Sequence, residues 1–436
     1  MESSLRNSIL LRMIFVVVLT LLLLIPQVMI ESMITERQQR RDTVTDEISS
    51  KWGRNQTITG PFIVLPYERT MKNDQGKEYT VIENAYLLPK NLKAESELFP
   101  EVRYRSIFEV VLYSAKISLR GEFSTEYLER LQIPTGDIRW KDASFVLGIS
   151  DLKGIRDTLG VEWDGKIMDL NPGVINHELL PVGLSSGLEI SQSIQTHRFN
   201  IELLLNGSSE LNIVPVGEQT ETSMKGNWGS PSFLGEFLPV NRIINQESFQ
   251  ADWKVFHLNR NYPQVFTAGQ YKLDQSAFGV KLLLPIDEYQ KSMRTAKYAI
   301  LFILLTFMAF FVAEILSFHP IHPVQYTLVA IVLLLFYVLL LSLSEHIDFK
   351  FAYLIASASV IVLVTAYTRT MLGGIRPAIV LGSVLTALYG FLYVTVQAQD
   401  YALLFGSFGL FISMALVMYI TRKIDWFAIG KKENVR

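Results

Sequence analysis

Residues 9–30, ILLRMIFVVVLTLLLLIPQVMI, decide how the rest of this 436-residue chain is read. A helix rises about 1.5 Å per residue and the hydrocarbon core of a bilayer is about 30 Å thick, so about 20 apolar residues suffice to cross it. The stretch meets that length with one charge, Arg12, whose long side chain reaches the headgroups by snorkelling. Arg6 and Arg12 ahead of an apolar run also open a secretory signal peptide. Against that reading, the run is long, and Ile25-Pro26-Gln27-Val28-Met29-Ile30 lacks the small-x-small pattern of a cleavage site. The segment is therefore expected to be an uncleaved anchor.

Five more apolar segments lie in the last third: Tyr298 to Phe318, Val324 to Leu343, Phe351 to Tyr367, Pro377 to Val396 and Tyr401 to Ile420. Between the first span and these lies a polar stretch, so the expected fold is a membrane α-helical bundle with an inserted β-rich extramembrane domain. The bundle has six spans, one N-terminal and five C-terminal. The segments are 1–30 (anchor), 31–56 (juxtamembrane stalk helix), 57–297 (β-rich domain), 298–421 (five-helix bundle) and 422–436 (tail). Hydrophobic residues make up 49% of the chain, too many for an ordinary soluble protein. A net charge of -2 gives no reason to expect nucleic acid as the partner. With Cys 0, disulfides, thiolate metal sites and a cysteine nucleophile are excluded.

Basic residues near span ends stay on the cytoplasmic side. With the N-terminus inside, the inner segments hold Arg6, Arg12, Arg369, Arg376, Arg422, Lys423, Lys431, Lys432 and Arg436, whereas the short outer loops hold only Lys350. Both termini are therefore expected in the cytoplasm and the polar domain outside. Lys291, Arg294 and Lys297 argue the other way, but long translocated domains escape the rule.

Beyond the first span, Val44, Ile48 and Trp52 repeat at i, i+4 spacing, which predicts that the helix continues to a stop at Gly53. From Thr57 onward, β-branched and aromatic runs alternate with Gly, Pro, Asn and Asp. Strands are expected at Ile58–Tyr67, Tyr79–Leu88, Glu109–Leu119, Ser144–Ile149, Phe199–Leu205, Glu210–Val214 and Gly279–Leu284. Their spacing suggests an antiparallel, sandwich-like domain, interrupted by a short helix over Ser124–Leu131. Asn171-Pro172-Gly173 and Asn227-Trp228-Gly229-Ser230-Pro231 are turn chemistry. Trp228 is read as a packing residue, with ligand recognition as the alternative.

Several stretches together resemble a known family. They are Trp52-Gly53 with Gln56, Gly60-Pro61 and Leu65-Pro66-Tyr67; Trp253, Asn259-Arg260 and Pro263-Gln264; Asp287 to Tyr298; His322-Pro323-Val324-Gln325-Tyr326; Leu335-Phe336-Tyr337; Leu341 to His346; and Gln399 to Leu404. Taken in order over essentially the whole chain, they look like the CreD family of bacterial inner-membrane, cell-envelope integrity proteins. The resemblance implies one N-terminal span, a large periplasmic domain and a C-terminal helical bundle. It also implies association with envelope integrity and a two-component stress response, and it brings no agreed activity or catalytic residue. Ser317-Phe318-His319-Pro320 departs from the more basic inner loop that the resemblance leads one to expect, which speaks against a lipid-phosphate role for that loop.

Few residues offer chemistry. Glu314 lies within the second span near its inner end, where a charge is costly. It is either a proton-handling carboxylate, a partner of His319, or an acid satisfied by snorkelling or by hydrogen bonds within its own helix. Gln325 and Tyr326 are further intramembrane polar candidates. His319 and His322 are at i, i+3, but Pro320 and Pro323 keep them off one helix face, so no metal is expected. Ser344, Glu345, His346 and Asp348, with Asp400, form the densest polar cluster at the outer membrane face. A Glu-His pair there could serve as acid and base or bind a cation. No nucleophile stands at recognisable spacing, and a structural role is favoured. Gly373-Gly374 is a turn rather than a phosphate cradle, because no P-loop Lys follows.

No catalytic residue and no cofactor is therefore expected. The favoured reading is an inner-membrane envelope integrity and stress-response protein in contact with the lipid bilayer, whose periplasmic domain binds a protein, glycan or lipid ligand. The alternative is a transporter or flippase-like component, which intramembrane polar residues facing one another (Glu314, Gln325, Tyr326, Gln397) would support. A third class is a hydrolase or transferase centred on Glu345 and His346.

Overall fold

A computed structural model describes residues 9–74, 77–174, 179–190, 195–267, 271–284, 288–317, 319–398 and 401–422. The chain divides into two compact units, Asp42–Pro285 and Met1–Arg41 with Ile286–Arg436.

The first unit is built of two sheets. In the nine-stranded sheet the order is β13 (Pro231–Gly235), β17 (Phe278–Leu282), β11 (Glu210–Val214), β1 (Gln56–Lys72), β5 (Ala143–Ile149), β9 (Gly183–Leu188) and β8 (Asn171–Pro172). β2 (Glu78–Leu87) also pairs with β1, and β16 (Val265–Thr267) with β2. The first half of β1, Ile58 to Leu65, is buried almost throughout, as befits a central strand covered on both faces.

The eight-stranded sheet runs β14 (Asn241–Ile244), β15 (Phe249–Phe256), β12 (Gln219–Gly226), β3 (Asn91–Arg105), β4 (Phe108–Ser124), β10 (Thr196–Ser208), β6 (Gly160–Trp163) and β7 (Lys166–Asp169). Its strands alternate buried and exposed positions, so one face is core and the other polar. Inward residues of both sheets, Phe62, Tyr86, Phe145 and Phe278 from one and Ile117, Phe199, Met224 and Trp253 from the other, join a single hydrophobic core.

The sheets are mixed rather than purely antiparallel. β1 runs parallel to β11, and β12 parallel to β3, while the other pairs are antiparallel. The interrupting helix is a 3-10 helix, Thr125–Leu131. Trp228 donates Nε1–H to Leu283 O at 3.0 Å and packs on the core, consistent with its packing reading.

In the second unit, α1 (Ile9–Leu22) is followed by the first part of α2 (Leu24–Trp52), whose residues from Asp42 onward belong to the β unit. α2 ends where the i, i+4 pattern ended, and Gly53 follows at φ 144°. Then come α3 (Glu288–Lys297), α4 (Ala299–Ser317), α5 (Pro323–Ser344), α6 (Phe349–Met371), α7 (Ile375–Gln397) and α8 (Ala402–Thr421). Among the described residues five helices are long and apolar enough to cross a membrane. α3 and α4 meet at a 46° bend and make a sixth if the pair crosses as one. α3, grouped by sequence with the β-rich domain 57–297, belongs to this unit, because the other compact unit ends at Pro285. Buried aromatics centre the helices: Phe336 stands edge-on to Tyr337, Tyr353 and Tyr389, and Tyr353 Oη donates to Tyr389 O at 2.6 Å.

Candidate functional site on the polar sheet face

The outward face of the eight-stranded sheet carries its charges in cross-strand rows. Register places Asp252, Ser223, Glu95, Ser118 and Glu202 side by side across β15, β12, β3, β4 and β10. One step along lie Lys254, Glu221, Lys93, Arg120 and Asn200, and one step the other way Gln250, Lys225, Glu97, Lys116 and Leu204. Neighbours of opposite sign pair directly: Lys254–Glu221 at 2.9 Å, Lys225–Glu97 at 3.1 Å, Arg120–Glu202 at 3.2 Å and Lys93–Glu95 at 2.6 Å. Hydrogen bonds from Lys93 and Lys254 hold the carboxyls of Glu95 and Glu221 below the usual range, so both are ionised at neutral pH.

Two adjoining cavities open on this face and share Glu95 and Ser223. The larger, about 750 Å³, has residues of β12, β3, β4 and β10 as its floor and Asp157, Thr158 and Leu159 at its side. The smaller, about 400 Å³, reaches Val240 and Asn241. Within the larger cavity Lys116 makes no ion pair among the described residues, and Ser118 Oγ has no hydrogen-bond partner. The trough thus offers donors and acceptors of both signs beside a comparable amount of apolar surface. Its lining residues include no histidine; Ser223 Oγ donates to Asp252 Oδ1 at 2.7 Å, and the rows of paired charges suit the face to binding. Among the described residues no group of three or more His, Asp or Glu side chains could hold a metal ion.

The residues singled out by sequence sit elsewhere. Glu345 meets Arg37 Nε at 3.6 Å and accepts from Tyr289 Oη at 3.3 Å. His346 is exposed and bonds through Nδ1 with Ser342 O at 3.1 Å. Asp348 is exposed, and its backbone oxygen accepts from Phe351 and Ala352. Ser344 Oγ turns back to Leu341 O at 3.0 Å. Consecutive residues at a helix end point about 100° apart, and Ser344, Glu345 and His346 each have a different partner. Asp400 lies outside the described residues.

Glu314 is buried, with a hydrogen bond to each carboxyl oxygen. Tyr326 Oη donates to Oε2 at 2.9 Å and Ile321 N–H to Oε1 at 3.2 Å. Of the alternatives, a partnership with His319 is not the one formed among the described residues; His319 Nδ1 faces Ser317 O at 2.7 Å. Gln325 Oε1 accepts from His322 N–H at 2.9 Å, and His322 Nδ1 from Val324 N–H at 3.3 Å, a capping box that starts α5.

The sequence profile of the family described as Inner membrane protein CreD matches residues 8–427. This chain belongs to the CreD family. A relative from Escherichia coli (strain K12), described as Inner membrane protein CreD, is 32% identical over 418 residues, covering 94% of this chain and 92% of the relative. The stretches that carry the CreD likeness in the β unit are structural ties. Gln56 donates Nε2 to Asp151 O and Asn206 O and accepts at Oε1 from Ser150 and Asp151. Arg260 bonds Val216 O at 3.1 Å, Gly217 O at 3.2 Å, Tyr262 O and Gln264 Oε1, and lies over the Tyr262 ring. Burial lowers its pKa to about 10, which leaves it charged at neutral pH. The trough of this CreD chain went unread in the sequence. Its one signal was the charge alternation Lys93, Glu95, Glu97, whose meaning depends on the partner strands.

Proposed function

We propose that this protein is a multi-pass inner-membrane protein of envelope integrity and stress response, which binds a polar periplasmic ligand along the outward face of its eight-stranded sheet. Both termini lie in the cytoplasm and the β unit in the periplasm. The observation that carries the reading is the trough, where among the described residues Lys116 makes no ion pair and Ser118 Oγ no hydrogen bond, beside the pairs Lys225–Glu97 and Arg120–Glu202. A floor of alternating donors and acceptors suits a hydroxyl-rich chain such as a glycan better than a lipid tail or a strongly charged ligand.

The test is charge reversal on a surface that tolerates it. Lys116→Glu and Glu202→Lys chains, expressed and inserted at the parental level, should lose tolerance to envelope stress in cells lacking the native copy. Survival of both single-reversal chains at the parental level would reject the trough as the site.

The transport reading drew on intramembrane polar residues facing one another. Glu314 and Tyr326 do meet, but the pair closes the turn between α4 and α5, and Gln325 is occupied in capping α5. An envelope hydrolase centred on Glu345 and His346 draws no support from their partners, which are Arg37 for the first and Ser342 O for the second.

A further inference from the structure

Helix α3 carries Lys291, Arg294 and Lys297 at i, i+3 and i+6, so three cations share one side of a short helix. Its one acid, Glu288, accepts from Phe349 N–H at 3.3 Å. Among the described residues none of the three cations forms an ion pair. Lys291 stands over the Phe349 ring at 5.5 Å, and Arg294 Nη1 is buried without a hydrogen-bond partner. Ser292 Oγ, on the same helix, is also buried and unpartnered. An unmade bond to a buried charged donor is costly, so an acceptor from outside the chain is called for.

The setting narrows what that acceptor is. α3 is amphipathic, packs on α4, α5 and α7, and turns through 46° into apolar α4. A short basic, amphipathic helix leading at an angle into a span has the form of one lying in the headgroup layer. There the abundant compact acceptor is phosphate, whose several oxygens match a guanidinium fork and tolerate flanking ammonium groups. We propose that α3 binds the phosphate of an anionic phospholipid headgroup, with Arg294 as anchor and Lys291 and Lys297 beside it. The site is separate from the trough and stands or falls independently of it.

The experiment uses the full chain in nanodiscs of phosphatidylcholine, with or without phosphatidylglycerol. Lipid retention is read by native mass spectrometry and stability by thermal melting. The parental protein should keep phosphatidylglycerol selectively and melt higher when it is present. Arg294→Gln should keep about fivefold less, as expected for one cation lost near a charged surface. The triple Lys291→Gln, Arg294→Gln, Lys297→Gln chain should lose the preference altogether. Arg294→Lys, which retains charge but not the fork, should fall between. If Arg294→Gln does not fold, Arg294→Lys decides, and retention at the parental level overturns the proposal. So does retention by the triple variant. Millimolar inorganic phosphate on the detergent-solubilised protein should give no stabilisation, and a gain equal to that from the lipid would reassign the site to a free anion.

Discussion

Glu314 was legible as a costly intramembrane carboxylate, but its purpose depends on a turn that sequence does not draw. The acid was weighed against His319, one residue past the end of its apolar run, whereas the fold returns Ile321 N–H and Tyr326 Oη to it. Removing the carboxylate leaves both donors buried and unmet, at about 1–3 kcal/mol each. Glu314→Ala should therefore lower the melting temperature of the purified protein markedly. Glu314→Gln, which keeps one carbonyl acceptor, should cost clearly less and leave envelope-stress tolerance intact; loss of function in a stable Glu314→Gln chain would restore a proton-handling role. Gly53 makes a similar point about backbone. At φ 144° an added Cβ would lie 2.6 Å from Asn206 O, a backbone atom that cannot swing away. Backbone strain of this kind costs about 1–3 kcal/mol. Gly53→Ala should thus destabilise the β unit by at least that much, as measured by near-ultraviolet circular dichroism on heating. Sequence showed that a stop belongs at Gly53; the close approach of Asn206 could not be seen from it.

At the scale of elements, what was readable tracked how apolar the inward face is. β1, β4 and β11 announce themselves through Ile, Val, Leu and Phe, and their expected ranges overlap the observed ones. β3 and β12 were missed because their inward positions include Ala94, Ser96, Thr220 and Thr222, small or polar residues that give period-two burial without period-two hydrophobicity. The trough floor is made largely of these strands, so missing them meant missing the site. The end of α2 is tied to the β3–β4 hairpin by Arg105–Glu47 at 2.6 Å, by Arg103 over the Trp52 ring at 4.3 Å, and by Trp52 Nε1–H to Tyr113 O at 3.2 Å. Hydrogen bonds from Arg105, then Lys51, lower the Glu47 pKa from the ordinary 4.5 to about 2. Because the folded value is the lower one, the stabilisation is present above pH 4.5 and is lost as pH falls toward 2. Melting temperatures of the parental and Glu47→Gln chains should differ slightly and constantly near neutral pH. The gap should close on acidification through that window, whereas a gap independent of pH would mean that Glu47 acts through packing.

For the whole molecule, one apolar segment, a large polar stretch and a set of apolar segments were readable because each membrane crossing is written locally, in about 20 consecutive residues. The β unit is assembled from pairs far apart in the chain, such as β1 with β11 and β3 with β12, which is why only its more apolar strands were readable and their order was not. Direction across the membrane rests on the distribution of Lys and Arg, with the basic row of α3 as the discordant feature. A lipid-phosphate role for that row removes the discord, since cations held by headgroups on the outer side need not be counted as cytoplasmic. The absence of cysteine makes direction directly measurable. Gly136 is exposed in the β unit with open space around its Cβ position, and Thr370 is exposed near the end of α6. In intact spheroplasts a membrane-impermeant maleimide should label the Gly136→Cys chain and spare the Thr370→Cys chain, which should react only after permeabilisation. The opposite pattern would place the β unit and its trough in the cytoplasm, out of reach of any envelope ligand.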